Sequence, residues 1–273
     1  MSERDVVVVT GAGGMGLAVA RRIGSGRTVV LADASAGAVD RAVEALRAEG
    51  YAAQGHVVDI SDGDAVAGLA RAAASQGRLI AVVHTAGVSA ATASVRAIID
   101  VDLVGTAHVI DAFGAVAGPG LSMVCVSSMA GHYASPGPGD ERALATAPTA
   151  ELASLPVVKT LDDNPTSAYI LAKRGNHLRV QAAATAWNRR GARINSISPG
   201  IVSTAMAKAE FDGPAGAHMT AMLDACGAGR TGTPAEIAEV VAFLTGPGSL
   251  YVTGTDILMD GGQAAWIRWH RGE

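Results

Sequence analysis

Four consecutive valines, Val6–Val9, run straight into Thr10-Gly11-Ala12-Gly13-Gly14-Met15-Gly16 and then into a helix-like stretch ending near Ile23. An unbroken β-branched run leaves no polar face for solvent. Such a strand is covered on both sides, which is the situation of a parallel sheet sandwiched by helices. The rhythm repeats down the chain. Strand-like runs fall at 6–9, 28–31, 52–58, 79–83, 121–127, 193–198 and 256–259. Helix-like segments alternate with them at 14–23, 36–49, 62–76, 92–117, 167–190 and 234–245. This alternation predicts an α/β fold, a doubly wound seven-stranded parallel sheet with helices on both faces. The 273 residues are expected to form one domain, 1–273, since no repeat or linker interrupts the pattern.

Composition narrows the classes. With 49% hydrophobic and 17% charged residues, the chain has the means to build a packed core. Its net charge of −4 gives no basic footprint for nucleic acid. Two cysteines, Cys125 and Cys226, are too few for a disulfide framework and are expected to be reduced thiols in a cytoplasmic protein. No charged-then-apolar leader opens the sequence and no long apolar run offers a membrane span, so neither secretion nor membrane insertion is expected. The seven histidines are scattered, none at the i, i+4 spacing of a helical metal site, and no metal is expected.

The glycine-rich turn is the first sign of chemistry. Gly11, Gly13 and Gly16 fit G-x-G-x-x-G between a strand and a helix, with Gly14 and Met15 inside it. The tight turn, the close approach of backbone to pyrophosphate and the helix N-terminus facing the anion are what a dinucleotide needs. Asp33 ends the second strand. A carboxylate there accepts from both ribose hydroxyls and repels a 2′-phosphate, which favours NAD over NADP. The competing reading makes Asp33 only a cap for the following helix.

A second set lies downstream. Tyr169-Ile170-Leu171-Ala172-Lys173 places a phenol and an ammonium on one helix face. Val126-Ser127-Ser128 ends a strand with two hydroxyls. Together with Asp59-Ile60, Thr85-Ala86-Gly87, Pro199-Gly200 and Asp260-Gly261-Gly262, these pieces resemble the short-chain dehydrogenase/reductase family in type and order over nearly the whole chain. The resemblance implies a Rossmann-type fold and an NAD-dependent enzyme acting on CH–OH groups of a small alcohol or ketone. It implies Tyr169 as general acid/base, Ser128 as the donor to the substrate oxygen, and Lys173 as the residue that binds the nicotinamide ribose and lowers the Tyr169 pKa. Asp59 and Ile60 would meet the adenine, Ala86 and Gly87 would border the cofactor, and Pro199, Gly200, Val202 and Thr204 would lie beside the nicotinamide. A homodimer or homotetramer is the family's usual assembly.

Three departures stand out. The glycine turn is one residue shorter than the commonest form. The usual N-N-A-G reads His84-Thr85-Ala86-Gly87. The relay asparagine of the family's V-N-x-x-G segment is replaced by Asp102, which accepts hydrogen bonds but, ionised, donates none. Asp102 is expected to order the same water and pair with Lys173; the alternative is an aspartate bonded to backbone in a long helix. A runner-up function follows from that departure: an NAD-sensing regulatory protein on the same fold, without turnover.

Ser128 and Tyr169 are separated by an unusually long excursion. Residues 132–166 hold five of the ten prolines, with Ala143–Leu155 a candidate helix. A similar gap occurs in the bacterial 3α-hydroxysteroid dehydrogenase/carbonyl reductase subgroup, which the chain resembles more loosely. That resemblance implies a bulky, apolar, even polycyclic substrate, with the excursion as wall or lid; an oligomer contact is the competing reading. Residues 203–231 read as irregular, and 263–273 as a short tail carrying Trp266 and Trp269.

Overall fold

A computed structural model describes residues 4–213 and 216–270. Seven strands form one parallel sheet: β1 (Asp5–Thr10), β2 (Thr28–Asp33), β3 (Ala52–Val57), β4 (Arg78–His84), β5 (Ser122–Val126), β6 (Arg193–Pro199) and β7 (Asp256–Met259). Their order is β3-β2-β1-β4-β5-β6-β7, with β1 paired to both β2 and β4. The chain starts in the middle of the sheet and winds outward in both directions. Strand order therefore reverses between β1 and β4, where a crevice opens at the carboxyl ends.

The strand prediction holds because the central strands are continuous apolar runs. Val6, Val7, Val8 and Val9 are fully buried, and alternate ones serve opposite faces. Val6 and Val8 join one core with Phe113, Val109 and Trp187. Val7 and Val9 join the other with Val19, Leu46 and Val241. β3, at the sheet edge, is largely exposed, in keeping with its polar sequence AAQGHV.

One face is covered by α1 (Gly14–Ile23), α2 (Ala36–Ala48) and α11 (Pro234–Thr245). The other carries α3 (Gly63–Ala74), the segment 95–115 and α8 (Pro165–Asn188). The segment 95–115 was expected as one regular helix. It comprises α4 (Val95–Ile98), a π-helix (Ile99–Gly105) and α5 (Thr106–Ala115). A π turn adds residues without breaking the helix, so hydrophobic periodicity does not reveal it, and such turns gather at functional sites. Asp102 sits in its centre, buried.

The proline-rich excursion is more structured than its sequence suggests. It holds a 3₁₀ turn (Met129–His132) at its entrance, then α6 (Pro138–Thr146), a second 3₁₀ turn (Thr149–Ser154) and α7 (Pro156–Lys159). The candidate helix at Ala143–Leu155 is thus split. Pro138 and Pro156 open helices instead of breaking them, each at the first turn. The segment is anchored to α8: Arg174 pairs with Glu141, and Arg179 donates to the Ala147 carbonyl at 3.0 Å. Leu144, Leu152 and Val158 fill a third apolar cluster with Ile98, Leu103 and Leu171.

The stretch expected to be irregular, 203–231, holds α9 (Ala205–Phe211) and α10 (Gly216–Ala225), and the tail forms α12 (Gln263–His270). Residues 271–273 of that tail lie outside the described residues. Among the described residues no helix is long and apolar enough to cross a membrane.

Candidate active site and dinucleotide groove

The glycine turn is built by exclusion of side chains. Gly11 has φ +93°, a conformation that disfavours any Cβ. Gly16 lies so close that a Cβ would stand 1.8 Å from the Gly11 carbonyl oxygen. Helix α1 therefore packs directly onto the turn. Its N-cap, Gly13, supplies no side-chain hydrogen bond, which leaves the first backbone N–H groups of the helix directed at the groove.

Asp33 closes the other side. Its Oδ2 accepts from the Ala12 N–H at 2.8 Å, and its Oδ1 from the Ser35 N–H at 2.9 Å. The cap of α2 is Ser35, whose hydroxyl accepts from Ala38 N–H. The capping reading of Asp33 is thereby superseded: the carboxylate ties the glycine turn to the end of β2. Each oxygen retains a lone pair for a further donor.

Between these walls runs a groove of about 390 Å³. It is lined by Gly11, Gly13, Gly14, Met15, Gly16, Asp33, Asp59, Ile60, Ala86, Gly87 and Thr204 from the predicted set. Val58, Thr85, Val88, Val101 and Met206, which sequence reasoning did not single out as ligands, line it as well. Asp59 Oδ1 accepts from both the Ser61 N–H and hydroxyl, while Ile60 is buried beside it. Pro199, Gly200 and Val202 do not line the groove. Gly200 borders a neighbouring pocket with Ile201, Leu223 and Met259, and Val202 bridges to Gly232. The donor set, the empty space over Gly13 and the turn geometry fit an elongated anion-bearing nucleotide.

Behind Gly87 of the groove wall, Ser128, Tyr169, Lys173 and Asp102 converge. Ser128 caps the 3₁₀ turn after β5, its hydroxyl accepting from the Ala130 N–H at 3.2 Å, and it stands close enough to the Tyr169 phenol to favour the ionised form. The Lys173 ammonium lies 5.1 Å from the centre of the Tyr169 ring and 3.5 Å from Asp102 Oδ1. Asp102 Oδ1 also accepts from the Val88 N–H at 3.0 Å, while Oδ2 is buried with no hydrogen-bond partner among the described residues. A Cβ on Gly87 would stand 3.3 Å from Lys173 Nζ, so the ammonium lies directly beneath the groove floor. The pairing of Asp102 with Lys173 expected from the sequence is present. The alternative, backbone bonding, is present too.

Burial pushes the Tyr169 phenol up from its ordinary value; Lys173 and the Ser128 hydroxyl pull it down, and Asp102 and Glu210 push it up. The lysine acts with the expected sign, but in the protein alone desolvation outweighs it. Burial opposes charge on Lys173, yet the nearby Asp102 and Tyr169 oxygens raise it overall, and it remains an ammonium. Desolvation raises Asp102 against the pull of Lys173.

Beneath the site His84 bridges two hydroxyls. Its Nδ1 lies 2.7 Å from Thr10 Oγ1 and its Nε2 3.0 Å from Thr106 Oγ1. Thr106 in turn donates to the Asp102 carbonyl at 2.8 Å. Thus the histidine that replaces the familiar asparagine links β1, β4 and the π-helix. Burial drives it down to about 3, so it is neutral. Over the site, Ser89 donates to Glu210 of α9.

Comparison with known proteins decides the family. Residues 5–139 match the family described as short chain dehydrogenase, and residues 149–264 that described as enoyl-(acyl carrier protein) reductase. The short-chain dehydrogenase/reductase bsc3 of Alternaria brassicicola is 38% identical over 269 residues, covering 98% of each chain. The chain belongs to the short-chain dehydrogenase/reductase family. The cis-4-hydroxycyclohexanecarboxylate dehydrogenase of Sinomonas cyclohexanicum is 30% identical, covering 97% of this chain and 98% of its own. The crystal structure of gox2181 superposes with a TM-score of 0.76 over 97% of both chains at 24% identity, which is a likeness of fold. This family member is an oxidoreductase acting on CH–OH groups with a nicotinamide cofactor.

Proposed function

We propose that this enzyme interconverts a secondary alcohol and a ketone with NAD(H), using Tyr169 as general acid/base. The observation that carries the reading is the convergence of Tyr169, Ser128 and Lys173 behind Gly87, which lines a groove walled by Asp33. When bound, NAD supplies the hydride acceptor or donor. The protein's own residues do the rest. Backbone N–H groups at the start of α1 hold the pyrophosphate. Asp33 takes the ribose hydroxyls and rejects a 2′-phosphate, since Ala34, Ser35 and Ala36 beyond it bring no cation. Asp59 and Ile60 meet the adenine, Ala86 and Gly87 border the cofactor, and Thr204 lies near the carboxamide, with Pro199, Gly200 and Val202 behind it.

In the oxidative direction Tyr169 takes the hydroxyl proton and Ser128 donates to the substrate oxygen. Lys173 stays an ammonium, contacts the ribose and favours the phenolate. Asp102 holds Lys173 in charge and place, and orders water beside it. A bulky, apolar substrate is favoured by the third apolar cluster, in which Tyr169, Val88, Ala90 and Ala93 pack against residues of the excursion. The excursion then walls the substrate cleft from behind instead of closing over the nucleotide. The homodimer or homotetramer reading draws support from Phe243, Leu250 and Tyr251, large side chains exposed near β7. The cytoplasmic reading rests on two free, buried thiols. The sensor without turnover has no support among relatives, which are dehydrogenases and reductases.

The test is Tyr169→Phe. Turnover of secondary alcohols should fall by about 10²–10⁴-fold while dinucleotide binding persists. Retained turnover would overturn the assignment.

A further inference from the structure

Away from the groove, two imidazoles converge on one carboxylate. His132 Nε2 lies 2.8 Å from Asp256 Oδ2, and His177 Nε2 lies 3.6 Å from Asp256 Oδ1. One donor atom from each residue falls within 4.8 Å of the others. Neither histidine nor Asp256 lines the nucleotide groove, and the hydride and proton transfers use none of them.

We propose that His132, His177 and Asp256 form a binding site for a divalent transition-metal ion, zinc in the first instance.

Zinc holds imidazole nitrogen and carboxylate oxygen at about 2.0–2.2 Å, which in a tetrahedron places donors about 3.3 Å apart. Each imidazole approaches one carboxylate oxygen, at 2.8 Å and 3.6 Å, and the three donors span no more than 4.8 Å, so side-chain movements of about an ångström bring them to that spacing. The two imidazole rings stand 4.8 Å apart, tilted by 51°, so neither stacks on the other and both present an edge to the carboxylate. Two imidazoles with one carboxylate suit zinc better than calcium or magnesium, which prefer all-oxygen sites. The carboxylate is already oriented. Asp256 Oδ1 accepts from Ser196 Oγ at 2.6 Å and from Ser198 Oγ at 3.0 Å, the kind of outer hydrogen bonds that fix a ligating carboxylate. Ser198 Oγ also lies 2.7 Å from His177 Nε2, and an ion at the site replaces that contact and the His132 Nε2–Asp256 Oδ2 hydrogen bond.

Backbone packing makes room for the pair. A Cβ on Gly131 would stand 2.6 Å from His177 Cε1, so only glycine lets the 3₁₀ turn bring His132 this close to α8. His177 and Asp256 are buried or nearly so, while the His132 side chain is 32% exposed and opens the site to solvent. A water supplies the fourth ligand there. The sequence hides the set, because its members lie on three separate elements and no two share a motif.

The location gives the ion a job. His177 follows Lys173 by one helical turn on α8, and His132 ends the 3₁₀ turn that Ser128 caps. An ion at this point clamps the two segments that carry the Tyr169–Ser128 pair onto β7. It is a positioning site, remote from the hydride.

The experiment titrates chelator-treated protein with zinc chloride, read by calorimetry and thermal unfolding, and with cobalt(II), read by visible absorption. Wild type should bind one zinc per chain at micromolar concentration or tighter, melt higher with zinc, and give the strong d–d bands of four-coordinate cobalt. His132→Ala removes a partly exposed ligand and should fold normally, yet lose at least about tenfold in affinity along with the cobalt bands. Asp256→Asn, which keeps the serine contacts, should behave likewise. Absence of saturable binding in wild type would overturn the proposal, as would unchanged binding in His132→Ala.

Discussion

Two substitutions three residues apart separate the architectural from the binding role of the glycine turn. In Gly16→Ala the new methyl would stand 1.8 Å from the Gly11 carbonyl oxygen, a backbone atom. That is well inside van der Waals contact, so helix and turn must part by more than an ångström. The turn cannot yield cheaply: the Gly11 N–H donates to Ala32 O at 2.7 Å, and Thr85 Oγ1 lies 3.2 Å from Gly11 O. Overpacking of this kind costs about 1–3 kcal/mol, and more when hydrogen bonds are lost. At roughly 2–4 °C per kcal/mol for a domain of this size, a fall in Tm of about 2–12 °C is expected. In Gly13→Ala the methyl meets nothing within 4 Å, and φ of −79° suits alanine. Stability should change by less than about 1 kcal/mol. The methyl instead occupies the space where the pyrophosphate sits, so dinucleotide affinity should fall at least about tenfold, or ~1.4 kcal/mol. Thermal unfolding without ligand and a fluorescence titration with NADH read the two effects separately. A Gly13→Ala protein that binds NADH like wild type would refute the placement of the phosphate. An unimpaired Gly16→Ala would refute the packing argument.

Other expectations follow from the same geometry. Asp33→Ser removes the carboxylate that rejects a 2′-phosphate, and should shift the NADP/NAD ratio of kcat/KM upward at least about tenfold; an unchanged ratio would exclude Asp33 from cofactor choice. Asp102→Asn removes a group that raises the Tyr169 phenol, so the limb on which the oxidation rate rises with pH should move to lower pH; an unmoved limb would end any electrostatic role for the carboxylate. His84 is held neutral, with its folded pKa near 3 below the ordinary 6.5. The folded state therefore binds fewer protons, and this contribution to stability, complete above about pH 6.5, is lost as pH falls toward the folded value. Between pH 6.5 and 5 the loss is about 2 kcal/mol, measurable by urea unfolding; His84→Gln should flatten that slope, and a parallel slope would contradict the burial argument.

The sheet was legible because its central strands bury both faces. A run such as Val6–Val9 admits few other readings, and the glycine turn fixed where the first helix starts. The exposed edge strand at Ala52–Val57 was still found, from its place between helix signals. What stayed hidden depends on long-range packing. The π turn around Asp102 leaves the apolar periodicity of 95–115 nearly intact. The prolines of the excursion read as breaks, whereas three of them, Pro138, Pro156 and Pro165, open helices. Helices α9 and α10 follow turn-like residues and carry little amphipathic signal. Among site residues, spacing alone brought Tyr169 and Lys173 together. The Thr10–His84–Thr106 bridge joins three elements, and no local pattern marks it. The pull of Lys173 on Tyr169 was legible, whereas the desolvation that opposes it was not, because burial is something a motif does not carry.

The most direct test of the whole account is formation of reduced nicotinamide by the purified protein. NAD and NADP would be compared across secondary alcohols, from substituted cyclohexanols to hydroxysteroids, at mildly alkaline pH. The account predicts turnover with NAD, favoured over NADP by at least about tenfold. Preference for NADP would contradict the role of Asp33, and failure of the whole panel with NAD tightly bound would contradict the alcohol–ketone reading.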